Sequence, residues 1–308
     1  MFFGEHAVIY DHPCLVTAVD QYLTLKANLS PENTVTIDAP QVNIHNYHHP
    51  LNQPINLDHI PKGVQFIEAA IHRFATIYPI DQGFHLTTQS EFRSTFGFGS
   101  SSAVTVCTIK ALNEIFKASL SPKEVFNLAY HAVLDVQGVG SGFDIAAAVY
   151  GGTLYFATGG KVIETLNISP LPLVVGYTGI KADTTTLIQQ VAQLKNHYPQ
   201  RVNRIFNSIS KLVASAKTAL LKSDYPHSGR LMNQNQKLLT DLGVSTPELD
   251  KLILAARHAG AYGAKLSGAG GGDCMIALVS PDSRRSVARA ITQAGGQIIH
   301  VHTHAPIK

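Results

Sequence analysis

The chain has 308 residues, of which 45% are hydrophobic and 15% are charged, so it can bury a large core and favours two domains over one. Its net charge of +3 is small and no basic cluster is interleaved with aromatics, which argues against a nucleic-acid-binding protein. The cysteine count is odd, no C-x-x-C pair occurs, and neither a signal peptide nor a membrane-spanning run is found. We therefore expect a cytoplasmic protein with reduced thiols.

Hydrophobic periodicity predicts an α+β chain in two blocks. The first block is predicted to hold strands over 14–27, 33–44 and 85–90, helices over 64–78 and from 121 onward, and a Pro-, Asn- and His-rich connection over 46–61. That connection is either a lid over a substrate or an ordinary long loop. The second block is predicted to hold a strand over 171–177, helices over 184–194, 201–222, 225–242 and 247–258, a glycine-rich segment, and then a strand, a helix and a strand.

A glycine- and serine-rich turn runs into an amphipathic helix between residues 96 and 116. Gly97 and Gly99 lack a Cβ, so the backbone can approach a ligand closely there. Ser100, Ser101 and Ser102 offer hydroxyls where the helix begins, and unpaired amides at that end favour an anion such as phosphate. The same residues also fit an ordinary turn with a helix cap. No lysine follows the glycines in the manner of a P-loop.

Three other segments carry unusual patterns. KLSGAGGGDC over 265–274 places four glycines before an apolar run, which predicts either tight approach to a ligand or a packing turn. GEHAVIY lies over 4–10, near the other end of the chain. GSGFD over 140–144 ends in an aspartate, and an aspartate after glycine is most often a turn residue.

Taken in order, GEHAVIY (4–10), GFGSSSA (97–103) and KLSGAGGGDC (265–274) resemble motifs one, two and three of the GHMP kinases, the family of galactokinase, homoserine kinase, mevalonate kinase and phosphomevalonate kinase. The resemblance covers nearly the whole chain. It implies a two-lobed α+β GHMP kinase fold, with a ribosomal protein S5 domain 2-like N-terminal lobe over 1–165 and a ferredoxin-like C-terminal lobe over 166–308. It also implies transfer of the γ-phosphoryl group of ATP, with Mg²⁺, to a small-molecule alcohol.

The same resemblance assigns roles to individual residues. Asp144 is implied to be catalytic, accepting or orienting the proton of the substrate hydroxyl. The residues implied to bind ATP and its phosphates are Gly97, Gly99, Ser100, Ser101, Ser102, Gly268, Ala269 and Gly270. Those implied to bind the substrate are Glu5, His6 and Thr184. Mg²⁺ is assigned to Ser101 and, as a second candidate, to Asp135, the carboxylate nearest to Val133, where relatives carry a metal-binding glutamate.

Besides Val133 in place of the metal-binding glutamate, two departures from the family pattern accompany the resemblance, and a set of histidines near the C-terminus is considered separately. The family's catalytic lysine precedes G-E-H by five residues and would fall before Met1, so we expect the natural start to lie upstream. Arg93 stands where motif two usually has proline, and it either faces phosphate or is solvated. His300, His302 and His304 alternate near the C-terminus; a metal site there is conceivable, but a solvated edge is the expectation.

The substrate that receives the phosphoryl group is predicted from the positions of lysine and arginine in the sequence. GEHAVIY, YTGIKADT (177–184) and KLSGAGGG resemble mevalonate kinase, whereas GSGFDIAAAVYGG (140–152) and the Asp273-Cys274 pair resemble phosphomevalonate kinase. No Lys or Arg precedes Lys26, and none lies between Lys123 and Lys161, yet a phosphorylated acceptor needs cationic partners. We therefore expect phosphorylation of mevalonate to 5-phosphomevalonate in isoprenoid precursor synthesis.

Two alternatives to this function stay open, namely phosphomevalonate kinase and a non-catalytic nucleotide-binding protein. The expected partner is the small-molecule substrate, with no nucleic acid and no membrane, and a homodimer is left open.

Overall fold

The computed structural model describes residues 1–92 and 96–306. They form two compact units. One contains residues 1–20, 96–97 and 151–306 and is called the split unit; the other contains residues 21–92 and 98–150 and is called the inserted unit. Both combine helices with sheets, so the predicted α+β class is confirmed. The expected division into lobes over 1–165 and 166–308 stays a prediction.

The regular elements of the described residues are numbered along the chain. The strands are β1 (Cys14–Thr17), β2 (Leu23–Leu29), β3 (Thr34–Ala39), β4 (Ile44–Pro50), β5 (Phe84–Ser90), β6 (Thr153–Ala157), β7 (Val162–Thr165), β8 (Leu173–Tyr177), β9 (Gly263–Ser267), β10 (Cys274–Leu278) and β11 (Gln297–Ile299). The helices are α1 (Lys62–Ala75), α2 (Ser100–Ile115), α3 (Pro122–Gln137), α4 (Phe143–Tyr150), α5 (Thr184–His197), α6 (Pro199–Leu221), α7 (Tyr225–Asp241), α8 (Pro247–His258) and α9 (Arg284–Gln293).

The inserted unit is built on a four-stranded sheet in the order β2-β5-β3-β4, where β3 and β5 are parallel and the other pairs are antiparallel. Apolar side chains of α1 and β5 form its core, and Ile67, Phe74, Phe84 and Leu86 are fully buried. Helix α3 begins with a capping box in which the Ser121 hydroxyl and the Glu124 carboxylate each accept a backbone N–H of the other residue. The helix start predicted there is therefore confirmed.

One expectation for the inserted unit was wrong. The connection predicted over 46–61 begins with β4, which extends to Pro50. Polar residues suggested a loop, but His49 is buried and its Nε2 lies 3.0 Å from Oε1 of Glu68 on α1. This tertiary partner offsets the cost of burying a polar side chain in a strand.

The split unit holds two antiparallel sheets, β1-β6-β7 and β11-β8-β10-β9. Its first residues belong to it because β1 pairs with β6, with Leu15 opposite Tyr155. Phe3 forms a bridge with Leu15 and is fully buried. None of the helices in the described part of the chain combines the length and hydropathy that a membrane span requires.

Helix α7 lies directly against β9, which is an edge strand of its sheet. A Cβ at Gly229 would lie 2.3 Å from the carbonyl carbon of Tyr262, so this approach requires glycine. The side chains of Asn233 and Gln236 accept the backbone N–H groups of Ala264 and Leu266, at 3.1 and 2.9 Å. Helix side chains thus satisfy backbone groups that an edge strand otherwise leaves unpaired.

The three alternating histidines lie C-terminal to β11. His302 Nδ1 is 2.7 Å from Oδ2 of Asp20, and His304 Nδ1 is 3.2 Å from the hydroxyl of Thr153. Within the described ranges, no three His, Cys, Asp or Glu side chains are placed to share a metal ion. The metal alternative for this segment therefore has no structural support.

Candidate active site

In the inserted unit, residues 98–103 of motif two form the turn and helix start that their sequence predicts. Gly99 has φ 72° and precedes α2, and no side chain caps the amides of the first turn. A Cβ at Gly99 would lie 3.2 Å from Cγ of Asp144, so the missing side chain lets this carboxylate approach the turn. Ser100 and Ser101 are half-buried and Ser102 is buried. The structure thus brings uncapped amides, two accessible serines and Asp144 together.

Asp144 lies in the first turn of α4. Burial raises the pKa of its carboxyl to about 6. A carboxyl with this pKa is mostly ionised at neutral pH and is more basic than an ordinary aspartate. It is therefore suited to accept a proton from a hydroxyl.

In the split unit, motif three is a loop whose backbone repeatedly takes positive φ. Gly268 and Gly270 have φ 88° and 82°, and Asp273 has φ 51°. A Cβ at Gly270 would lie 2.1 Å from the carbonyl oxygen of Val244, so this glycine is required by packing, whereas a Cβ at Gly268 would meet nothing within 4 Å. Gly268 therefore faces open space, where a ligand has room to approach.

Asp273 connects motif three to two other predicted segments of the split unit. Its Oδ1 accepts the N–H of Ala182 at 2.9 Å, and its Oδ2 lies 3.6 Å from Nζ of Lys181, so it anchors the YTGIKADT segment. A Cβ at Gly97 would lie 2.5 Å from the same Oδ2. Gly97 is therefore placed against motif three.

Motif one is a tight turn in which Gly4 and His6 have φ 102° and 58°. His6 Nε2 lies 2.7 Å from the carbonyl oxygen of Ala269, and burial lowers the pKa of the imidazole. Because a carbonyl oxygen only accepts, Nε2 carries a proton, and the lowered pKa favours the neutral form of the ring. Glu5 is 1% exposed and pairs with the ammonium of Lys265. The two motif-one side chains predicted to bind substrate thus turn inward to motif three, and that role stays a prediction.

Comparisons with known proteins show which family the chain resembles over its whole length. The model of the GHMP kinases N terminal domain matches residues 65–152, and that of the GHMP kinases C terminal domain matches residues 216–297. The chain is 35% identical to the mevalonate kinase of Thermococcus sibiricus, over 97% of this chain and 92% of the relative. It is 37% identical to the mevalonate kinase of Pyrococcus horikoshii, over 96% and 90%. The chain belongs to the GHMP kinase family.

Solved GHMP kinases share the fold. A crystal structure of mevalonate kinase has a TM-score of 0.83 at 26% identity, covering 100% of this chain and 96% of that one. The mevalonate kinase of L. major in complex with R-mevalonate has a TM-score of 0.80 at 26% identity, covering 99% and 93%. The predicted family and fold are therefore confirmed, and this GHMP kinase is an ATP-dependent enzyme.

The remaining predicted site residues of this GHMP kinase have distinct surroundings. Thr184 is exposed and begins α5, whose N-cap residue Asp183 accepts the N–H of Thr186 at 3.1 Å. Both carboxylate oxygens of Asp135 accept hydrogen bonds from the guanidinium of Arg73, which makes Asp135 a poor candidate for a metal ligand. Arg93 lies outside the described residues.

Sequence reasoning missed two charged residues, one in motif three and one in the YTGIKADT segment. Lys265 is fully buried in β9, and Lys181 faces the Asp273 carboxylate. The one available signal for Lys265 was a lysine inside an otherwise apolar segment, Gly-Ala-Lys-Leu. Its partner Glu5 lies far away in sequence, so no local pattern identifies the pair.

Proposed function

We propose that this GHMP kinase transfers the γ-phosphoryl group of ATP to mevalonate, giving 5-phosphomevalonate and ADP, in isoprenoid precursor synthesis. The observation that carries the proposal is the similarity to mevalonate kinases, at 34–37% identity over about the full chain. The structural relative from L. major was solved with R-mevalonate.

Asp144 is the proposed proton acceptor. Its carboxylate takes the proton of the acceptor hydroxyl as the oxygen bonds to the γ-phosphorus and ADP leaves. The pKa of about 6 supports this role, because the group is ionised at neutral pH and more basic than an exposed aspartate. Its place beside Gly99 associates it with the turn that receives phosphate.

The first turn of α2 and the Gly268–Gly270 segment are each proposed as a phosphate-binding segment. Helix amides without a side-chain cap donate to anions, and the helix dipole adds to that preference. The open space at Gly268 supports backbone approach by a ligand. Thr184, whose side chain is exposed, is proposed to contact the acceptor.

The residues present fit a magnesium ion that arrives with ATP. Mg²⁺ takes oxygen donors, commonly one or two protein groups together with phosphates and water. The hydroxyl of Ser101 is half-buried at the start of α2 and would supply one such donor. When bound, the ion would neutralise charge on the phosphates.

The cytoplasmic location also belongs to the proposal. The chain has three cysteines, an odd number, and no C-x-x-C pair. This pattern is typical of a protein from a reducing compartment.

The deciding experiment measures ADP release with ATP and Mg²⁺, offering mevalonate or 5-phosphomevalonate to the wild type. We expect turnover of mevalonate alone, and Asp144→Asn should lower kcat by about 10²–10⁴-fold. Asp81→Asn, the same change at an exposed residue of the inserted unit, should leave kcat unchanged. Turnover of only 5-phosphomevalonate would contradict the proposed acceptor, and ATP binding without turnover of either would favour a non-catalytic protein.

A further inference from the structure

A fully buried ion pair connects motif one to motif three. The ammonium of Lys265 donates to Oε1 of Glu5 and to the carbonyl oxygen of Leu266. Oε2 of Glu5 accepts from Nδ2 of Asn235 on α7 at 3.0 Å. None of the three side chains is more than 1% exposed. Lys265 thus holds both Glu5 and the backbone of the strand that leads into the glycine-rich loop.

Stability alone does not account for this pair. Two charges lose their hydration on burial, and well-packed apolar side chains in their place are often as stable or more stable. Desolvation lowers the pKa of Lys265, and Glu5 opposes that change by favouring the charged form. A strand interior between apolar neighbours would readily accept a hydrophobic residue, so the charge calls for a geometric explanation.

The pair acts on a turn that is itself strained. His6 follows Glu5 directly, has φ 58°, and donates from Nε2 to the carbonyl oxygen of Ala269. A residue with a Cβ adopts such a backbone only where its surroundings enforce it. Motif one therefore contacts motif three at two places. Glu5 binds Lys265, which precedes the glycines, and His6 binds Ala269, which lies among them. Gly268, which faces open space, lies between these two anchors.

We propose that Lys265 is a positioning residue of this kinase, whose ion pair with Glu5 orients His6 and thereby sets the backbone of Gly268 and Ala269 for ATP phosphate. Because Lys265 is fully buried, it acts through Glu5. The kinetic part of the inference rests on the proposed function.

The test replaces the pair in two steps. Lys265→Met removes the ammonium and leaves a buried carboxylate unpaired, so its Tm should fall steeply. The double variant Lys265→Met with Glu5→Met contains no buried charge and should recover most of the Tm. We expect its kcat to stay reduced by about 10²-fold, because misplaced binding groups lose rate even in a stable fold. Its KM values should change by less than about threefold.

Lys251→Met is the matched control, since it makes the same change at an exposed position of α8 in the same unit. Its Tm, kcat and KM should equal those of the wild type. If the double variant recovers kcat together with Tm, the pair is only structural and the proposal fails.

A second measurement separates this inference from the proposed function. Amide hydrogen exchange over 4–9 and 266–272 is compared between the wild type and the double variant. Each protein is measured at the same number of degrees below its own Tm. Faster exchange in these segments alone supports positioning even if the wild type does not phosphorylate mevalonate. Unchanged exchange overturns it, whatever the substrate.

Discussion

The carboxyl of Asp144 sets an expected pH dependence. Its pKa is raised to about 6 by burial, and only the ionised form accepts a proton. We expect kcat/KM to be level at neutral pH and to fall about tenfold per unit once the pH drops below about 6. Initial rates between about pH 5 and 8 measure this, with substrate well below KM. A rate that stays level down to pH 5 would exclude Asp144 as the base.

The raised pKa of Asp144 also predicts that the stability of the folded protein depends on pH. A raised pKa in the folded state means that the native carboxyl binds its proton more tightly than the unfolded one. Stability is therefore lost as the pH rises from about 4 to about 6, and the ionised form costs free energy at neutral pH. Asp144→Asn should raise the free energy of unfolding at pH 7.5 by about 1–3 kcal/mol even though it lowers kcat.

Urea denaturation measures that difference, and its pH dependence supplies the control. Near pH 4 the wild-type carboxyl is protonated, so the two proteins should unfold at similar urea concentrations. An asparagine variant that is less stable than the wild type at pH 7.5 would contradict this account.

At the scale of elements, a close approach of helix and strand makes one glycine critical. Gly229 of α7 has no room for a methyl group, because its Cβ would lie 2.3 Å from the carbonyl carbon of Tyr262. Gly229→Ala should destabilise the enzyme by about 1–3 kcal/mol or more, although alanine favours helices. Gln234→Ala, at an exposed position of the same helix, should change stability by less than about 0.5 kcal/mol. Calorimetric Tm values compare the two, and a neutral Gly229→Ala would show that α7 can move.

The contact between β4 and α1 is expected to respond to pH. Burial alone lowers the pKa of His49, but hydrogen bonds to Glu68 and to the carbonyl oxygen of Pro50 outweigh it, and the net direction is upward. A histidine whose pKa is higher in the folded state than in the unfolded state stabilises the folded protein. This stabilisation is complete when the pH is below the unfolded-state pKa of about 6.5, and it is lost as the pH rises through the folded-state pKa. Urea midpoints should therefore fall as pH rises above about 6.5. His49→Gln should remove this dependence, and an unchanged slope would contradict it.

Local signals predicted some elements well and others poorly. Helix α8 was predicted over 247–258 and is observed there, because Thr246 caps it and Pro247 fits its first position. Strand β9 was missed because its centre is Lys265, whose partner Glu5 lies at the other end of the chain. Helix α4 was missed because its glycine-rich approach suggested a turn.

The residues of the candidate site were also predicted only where local sequence is sufficient. The order of the motifs located its residues through resemblance, and the turn at Gly99 followed from the absence of a Cβ. The inward direction of Glu5 and His6 did not follow, because it depends on Lys265 and Ala269. A side chain's environment is set by tertiary packing, which residue type and local pattern do not encode.

For the whole molecule, the interleaving of the two units has a consequence for synthesis. As the chain leaves the ribosome, Leu15 emerges long before Tyr155, the residue opposite it in β6. Until then Phe2 and Phe3, which are fully buried in the finished protein, have no core to enter. The inserted unit is meanwhile completed, because its residues 21–92 and 98–150 all precede β6 in the chain. Nascent chains stalled before β6 should therefore bind hydrophobic-segment chaperones through their first residues, and release should coincide with translation of β6.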